Sequence, residues 1–262
     1  MSPASSRANA NGARRRIRIG EIDIDRVTFV EAIEVVEALV ESGRGGTVFT
    51  PNVDHVVLAE EEPMLREAYA AADLAIVDGM PLLWAARILG APFPEKISGS
   101  DFVVPLTQRI AERGWRIYLL GGAEGVAERA KSELERLAPG VKIVGTSSPR
   151  IATTGPADRH DAIVEELRRA QPDVVFLALG APKQEIFAHQ IRVALPSVVF
   201  VGIGGTLDFL VGTQKRAPPW MSRAGLEWLY RLSNDPRRLW KRYLVRDPKF
   251  VFVFLRTLRA AR

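Results

Sequence analysis

Val174-Val175-Phe176-Leu177-Ala178-Leu179-Gly180-Ala181-Pro182-Lys183-Gln184-Glu185 carries the decision about the fold. Six apolar residues without alternation read as a strand buried on both faces, which is the habit of parallel sheets. Gly180 lets the chain turn, Pro182 fixes the path, and Lys183, Gln184 and Glu185 follow at the start of a helical pattern. A loop at the carboxyl end of a parallel strand is where open α/β sheets bind ligands. The hexapeptide 180–185 is therefore either a polar binding loop or a solvated strand-to-helix turn, and its own residues leave both open.

The same alternation runs outward in both directions. Residues 17–24 read as a short strand pair. Thr28 and Glu31 then make a capping box for a helix to about Ser42. Further strands are expected at 47–50, 74–77, 116–120, 142–145 and 198–201, with helices at 61–71, 81–89, 101–113, 125–137, 158–170 and 184–194. Residues 146–156, rich in Ser, Thr, Pro and Gly, read as an irregular loop. This is an α/β fold with a Rossmann-like parallel sheet core and crossover helices. Past Gly212 the alternation stops. Residues 213–262 read as two or three amphipathic helices punctuated by Pro218, Pro219, Pro236 and Pro248. The expected organisation is a disordered leader (1–16), an α/β catalytic core (17–212) and a helical basic appendage (213–262).

Composition bounds the chemistry. The chain has 262 residues, 47% of them hydrophobic, and no cysteine, which excludes disulfides and thiol catalysis. Three histidines make a histidine-rich metal site a poor expectation. From Lys215 to Arg262 there are thirteen cations against Glu227, Asp235 and Asp247 alone, so the net charge of +5 belongs to the tail. Such a segment favours an anionic partner: nucleic acid, a phospholipid surface or a diphosphate substrate. Trp220, Trp228 and Trp240 lie among its leucines and cations, a mixture suited to a membrane interface. No apolar run reaches the about 18 residues needed to span a bilayer. The first sixteen residues lack an apolar signal core, so the expected location is cytoplasmic and peripheral to the membrane.

Polar residues gather where the expected strands end: Thr50-Pro51-Asn52-Val53-Asp54-His55, Asp78-Gly79, Gly121-Gly122, the Gly180 loop, and Gly202-Ile203-Gly204-Gly205-Thr206-Leu207-Asp208. Parallel strands would bring all five loops to one rim, where glycines allow close backbone approach to phosphate. Each motif alone is weak. No G-x-G-x-x-G or Walker sequence occurs. Asp78 could simply cap the following helix, and Asp208 could be an ordinary part-buried carboxylate. Nothing supports a hydrolase triad or a paired-carboxylate glycosidase.

Taken together, Thr50-Pro-Asn-Val-Asp-His, Ala72-Asp73 through Asp78-Gly79, Ser98-Gly-Ser-Asp101, Leu120-Gly-Gly, the hexapeptide 180–185 and Arg216-Ala-Pro…Gly225-Leu-Glu-Trp-Leu-Tyr-Arg231 occur in order. This series resembles the WecG/TagA/CpsF glycosyltransferases (family 26) over residues from about 17 to 245. The resemblance implies an inverting transfer from a UDP-sugar donor to a polyprenyl-diphosphate-linked acceptor, an undecaprenyl-diphosphate saccharide, in cell-surface polysaccharide synthesis. The implied sugar is N-acetylmannosamine, its uronic acid or a glucose-type sugar. No metal or cofactor is implied.

By the same resemblance Asp78 is the general base, and Thr50, Asn52 and Gln184 line the donor and catalytic pocket. Asp208 lies near the nucleotide, and Arg216, Arg223 and Arg231 close over the site to meet the lipid diphosphate. Lys96 stands where many relatives carry arginine, keeping charge without the bidentate fork. Gly205-Thr206 and Leu207 depart from the commoner pattern and leave the donor open. Gly121, Gly122, Gly180, Lys183, Glu185 and Gly204 complete the expected substrate-binding set.

An anionic membrane surface is the other expected partner, and the oligomeric state, a homo-oligomer included, stays open. Two rivals remain at this point: a Rossmann-type oxidoreductase lacking its fingerprint, and a nucleic-acid-binding module built on the tail. The second is disfavoured, because tryptophans at helical spacing with leucines suit an interface better than a phosphate-tracking groove.

Overall fold

A computed structural model describes residues 15–152 and 160–261. In chain order, the hairpin β1 (Arg16–Ile19) and β2 (Ile22–Asp25) precedes α1 (Phe29–Glu41), β3 (Gly46–Phe49), α2 (Val53–Glu61), α3 (Pro63–Ala70), β4 (Leu74–Ala75) and α4 (Met80–Ile88). Then come α5 (Gly99–Glu112), β5 (Arg116–Gly121), α6 (Val126–Leu137), β6 (Lys142–Ser147), α7 (Asp161–Ala170), β7 (Val174–Ala178), α8 (Lys183–Ile191), β8 (Val199–Gly202) and α9 (Thr206–Leu210). The C-terminal part comprises α10 (Pro219–Arg223), α11 (Glu227–Asn234), α12 (Pro236–Trp240), a π-helical turn (Lys241–Arg246), a 3-10 turn (Asp247–Lys249) and α13 (Phe250–Ala260).

Among the described residues, six strands form one sheet in the order β4-β3-β8-β7-β5-β6, and every pairing is parallel. The central strands are buried nearly along their length, as the apolar sequences of β7 and β8 require. Helices cover both faces. Leu120, Leu177 and Phe200 anchor the core on one side, while Phe176, Val201, Phe102 and Leu106 anchor it on the other. Because all strands run the same way, their carboxyl ends share one rim. The α/β Rossmann-like expectation holds.

Several local readings hold as well. Thr28 caps α1 and Glu31 completes the box, its carboxylate accepting from the Thr28 backbone N–H at 2.7 Å. The expected strand pair forms the β1–β2 hairpin. Other readings need correction. Residues 61–71 are not one helix: Pro63 opens α3, and Glu62 before it is extended, as a residue preceding proline tends to be. The preceding stretch, expected as loop, is the helix α2, buried at Asp54, His55, Val56, Val57 and Ala59. A helix enclosed on most sides shows no single apolar stripe to betray it.

Strand β4 has two residues where four were expected, and β6 runs two residues beyond its expected end. The expected leader lies almost wholly outside the described residues, as do 153–156 of the expected loop and 158–159 of the expected 158–170 helix. The last helix, α13, was not expected as a separate element. Its Phe250 and Val253 are buried. Its Thr257 hydroxyl accepts from the Gly20 backbone N–H at 3.0 Å, at the turn of the hairpin. Gly20 has φ 59°, and a Cβ there would lie 2.7 Å from Val253, so both the turn and the helix require glycine.

Candidate active site

Two cavities open along the rim above β4, β3, β8 and β7. The inner one, of about 110 Å³, is lined by Thr50, Ser98, Gly180, Gln184, Gly204 and Thr206, among others. The outer one, of about 260 Å³, lies beneath the C-terminal helices and is lined by Met80, Lys96, Trp228, Tyr243, Asp247 and Phe250, among others. Asn52, Asp78, Arg231 and Arg242 line both, so these four mark the junction.

Asp78 reaches that junction from the end of β4. Its backbone N–H donates to Pro51 O at 2.8 Å, which fastens the two rim loops together. The capping alternative fails: Gly79 is the N-cap of α4, with no side chain capping the helix. Burial raises the Asp78 carboxyl from the usual carboxylate range to about 6. Arg231 opposes that rise, Glu227 adds to it, and Lys96 and His55 oppose it further. A carboxylate with a pKa near 6 can both ionise near neutral pH and take a proton, as a general base must.

Asn52 caps α2. Its Oδ1 accepts from Asp54 N at 3.0 Å and meets His55 Nδ1 at 2.9 Å. Thr50 donates from its hydroxyl to Gly202 O at 3.1 Å, joining the ends of β3 and β8. The Ser98-Gly99-Ser100 turn opens α5 into the inner cavity, with Ser98 as N-cap. A helix start that lines a cavity in this way presents N–H groups and partial positive charge to an anion.

The hexapeptide 180–185 is divided between roles. Gly180 lines the inner cavity. Lys183 is exposed and lines neither cavity. Gln184 lines the inner cavity but is 1% exposed, and both ends of its amide are engaged. Its Oε1 accepts from Gly204 N at 3.0 Å, and its Nε2 donates to Glu185 Oε1 at 2.7 Å. Glu185 is 0% exposed, so its alternative as part of a solvated turn is excluded. The same carboxylate pairs with His55 Nε2 at 3.2 Å.

The remaining expected residues scatter. Lys96 lines the outer cavity, and Arg231 sits at the junction, ion-paired with Glu227 and 5.0 Å above the Phe209 ring. Gly121 and Gly122 line neither cavity. A Cβ on Gly121 would lie 2.5 Å from Ala178 O, and Gly122 N donates to that same oxygen at 2.8 Å, so this pair serves contact between strand ends. Asp208 also lines neither cavity, its carboxylate accepting from the Thr213 hydroxyl at 3.1 Å. Arg216 is tied to Asp101 at 2.8 Å and to Ser100 O at 2.7 Å, at the start of α5. The side chain of Arg223 lies outside the described part of the structure.

Sequence reasoning missed Arg242. One of thirteen tail cations, it carries no local mark that distinguishes it. Its Nη2 donates to Asn52 Oδ1 at 3.2 Å, and its guanidinium pairs with Asp54 at 3.3 Å. Burial lifts the Asp247 carboxyl beside it to about 6, against the pull of Arg242.

Exposed apolar side chains stand on α4, which helps line the outer cavity, and on the C-terminal segment over it. Trp84 and Ile88 stand on α4, and Trp220, Trp228, Leu229, Trp240 and Leu244 on the C-terminal helices. Among the described residues, no helix is long and apolar enough to cross a membrane.

The profile of the Glycosyl transferase WecG/TagA/CpsF family matches residues 17–262. An N-acetylglucosaminyldiphosphoundecaprenol N-acetyl-beta-D-mannosaminyltransferase of Bacillus spizizenii (strain ATCC 23059 / NRRL B-14472 / W23) is 30% identical over 240 residues, covering 92% of this chain and 90% of the relative. A protein of the same description from Bacillus subtilis (strain 168) is 29% identical over 235 residues, covering 90% of this chain and 88% of the relative.

Proposed function

The chain belongs to the WecG/TagA/CpsF glycosyltransferase family, and from that premise we propose that it transfers N-acetylmannosamine from a UDP donor to an N-acetylglucosaminyl-diphosphate polyprenol. The observation that carries the reading is Asp78, a half-buried carboxylate with a pKa near 6 at the junction of two cavities. The reacting parts of the two substrates would meet there, the inner cavity of about 110 Å³ taking only part of the donor. The sugar and the acceptor are those in the names of the two Bacillus relatives.

The inner cavity suits the donor. Backbone N–H groups at the start of α5 and glycines of the Gly180 and Gly204 loops can approach a diphosphate closely. The outer cavity suits the acceptor, with Lys96, Arg231 and Arg242 to meet its diphosphate and Trp228, Tyr243 and Phe250 to pack against its sugar and first prenyl unit. Asp78 takes the proton of the acceptor hydroxyl as the oxygen attacks the anomeric carbon. The carbon–oxygen bond to UDP breaks on the opposite face, which inverts the anomeric configuration. Arg231, which lines both cavities, also neutralises charge that develops on the departing diphosphate.

The exposed tryptophans and leucines around the outer cavity would rest in the interface of the inner leaflet, beside basic side chains that attract anionic lipid. Such a peripheral seat brings the cavity to a lipid-linked substrate. A panel of UDP-sugars offered with a short-chain prenyl-diphosphate N-acetylglucosamine tests the reading. Transfer is expected from UDP-N-acetylmannosamine in preference to the uronic acid or glucose-type donors. Transfer only from another sugar would overturn the donor assignment.

A further inference from the structure

A continuous polar chain crosses the rim from the C-terminal segment to the loop after β8. It begins at Asp54, which is 3% exposed. Its carboxylate pairs with Arg246 at 2.5 and 3.2 Å and with Arg242 at 3.3 Å, both from the π-helical turn Lys241–Arg246. Arg242 also donates to Asn52 Oδ1 at 3.2 Å. From Asn52 the chain passes through His55, Glu185 and Gln184 to Gly204 N. A carboxylate this buried is costly unless its charge is matched, and here two guanidinium groups of one turn match it.

The two arginines are placed differently. Arg246 lines neither cavity, and its contacts with Asp54 leave it no evident place against substrate. Arg242 lines both cavities. The widened helical turn puts the anchor and the cavity-lining cation four residues apart on one face. Asp247, next in the chain, lies 3.8 Å from Arg242 and lines the outer cavity.

We propose that Asp54 is a positioning residue whose buried carboxylate, gripped by Arg246, seats residues 241–249 on the rim and fixes Arg242 as a second cation beside Arg231 for the acceptor's diphosphate. The inference rests on the glycosyltransferase reading for its ligand, but not for the seating itself. Without Asp54 the two guanidinium groups lose their common partner, and Arg242 would be held by Asn52, Asp247 and the face of the Tyr243 ring.

The test compares the full-length protein with Asp54→Asn, Arg246→Gln and the double variant. Arg246 is partly exposed, so its substitution keeps the test alive if Asp54→Asn folds poorly. Amide hydrogen exchange across 241–249 is expected to quicken about tenfold or more in each single variant, with exchange in β7 and β8 unchanged. The KM for prenyl-diphosphate N-acetylglucosamine is expected to rise about tenfold, with donor KM within twofold. The double variant is expected to resemble Asp54→Asn, because that variant already removes the contact that Arg246→Gln breaks.

Unchanged exchange across 241–249 overturns the seating. Quickened exchange with unchanged acceptor KM overturns the role of Arg242. Losses that multiply in the double variant overturn the shared contact. Should the wild-type protein transfer none of the sugars offered, the functional reading falls while the exchange arm still decides the seating.

Discussion

His55 Nε2 and Glu185 Oε1 pair at 3.2 Å in the protein interior, tying the helix after β3 to the helix after β7. Gln184 shares that carboxylate and carries the tie on to Gly204. The rim is therefore braced by a buried polar network, two of whose members, His55 and Gln184, also line the inner cavity. Glu185→Ala would leave the Gln184 amide and the His55 ring without their partner. Unfolding in urea is expected to show a loss on the order of 3 kcal/mol, the usual scale for a broken buried contact of this kind. A loss below about 1 kcal/mol would mean the brace is slack.

On the proposal that Asp78 is the base, its pKa near 6 is expected to set the acid limb of the pH profile. A base must be ionised before it can accept a proton, so kcat/KM for transfer should be level above about pH 7 and fall about tenfold per pH unit well below 6. A limb centred near pH 4 would place the group that titrates elsewhere.

The same raised pKa makes Asp78 a stability liability. Its folded pKa lies above its ordinary value of 3.8, so the folded state favours the protonated acid. The cost of ionising it is absent below the unfolded pKa, grows as pH rises between about 4 and 6, and is complete above the folded pKa. Two units correspond to about 3 kcal/mol at most. Asp78→Asn, neutral throughout, is expected to raise Tm by several degrees at pH 7.5 relative to wild type, with the gap closing by pH 4. Equal Tm values at pH 7.5 would contradict the buried-charge account.

The proposed membrane seating rests on exposed apolar side chains. Deleting residues 215–262 is a blunt probe of it, because α13 packs Phe250 and Val253 into the core and its removal would uncover the hairpin. A Trp220→Ser, Trp240→Ser, Leu244→Ser triple variant alters only exposed positions. Its affinity for vesicles containing anionic lipid is expected to drop about tenfold or more, with Tm unchanged, given about 25 cal/mol for each Å² of apolar surface withdrawn from water. Undiminished sedimentation with those vesicles would move the membrane contact to another surface.

Much of this architecture was legible because it is local or periodic. The apolar runs of β3, β7 and β8 declare a buried parallel sheet, and Thr28 with Glu31 declares a helix start. What was not legible depends on orientation and long-range pairing. Lys183 and Glu185 lie two residues apart on α8, nearly on opposite faces of a helix. One is exposed and the other wholly buried, yet local sequence does not say which. Helix α2 was hidden because it is enclosed on several sides, and Arg242 because its partners Asn52 and Asp54 are about 190 residues away. Gly121 and Gly122 drew the eye as phosphate ligands, but the approach that needs their missing side chains is to Ala178.

The most direct test of the account is Asp78→Asn assayed beside wild type, with UDP-N-acetylmannosamine as donor and a short-chain prenyl-diphosphate N-acetylglucosamine as acceptor. UDP affinity is measured on the same samples by calorimetry. The account predicts that UDP binds within about threefold of wild type while transfer falls by 10²-fold or more, the range lost with a general base. Transfer by Asp78→Asn at close to the wild-type rate would contradict it.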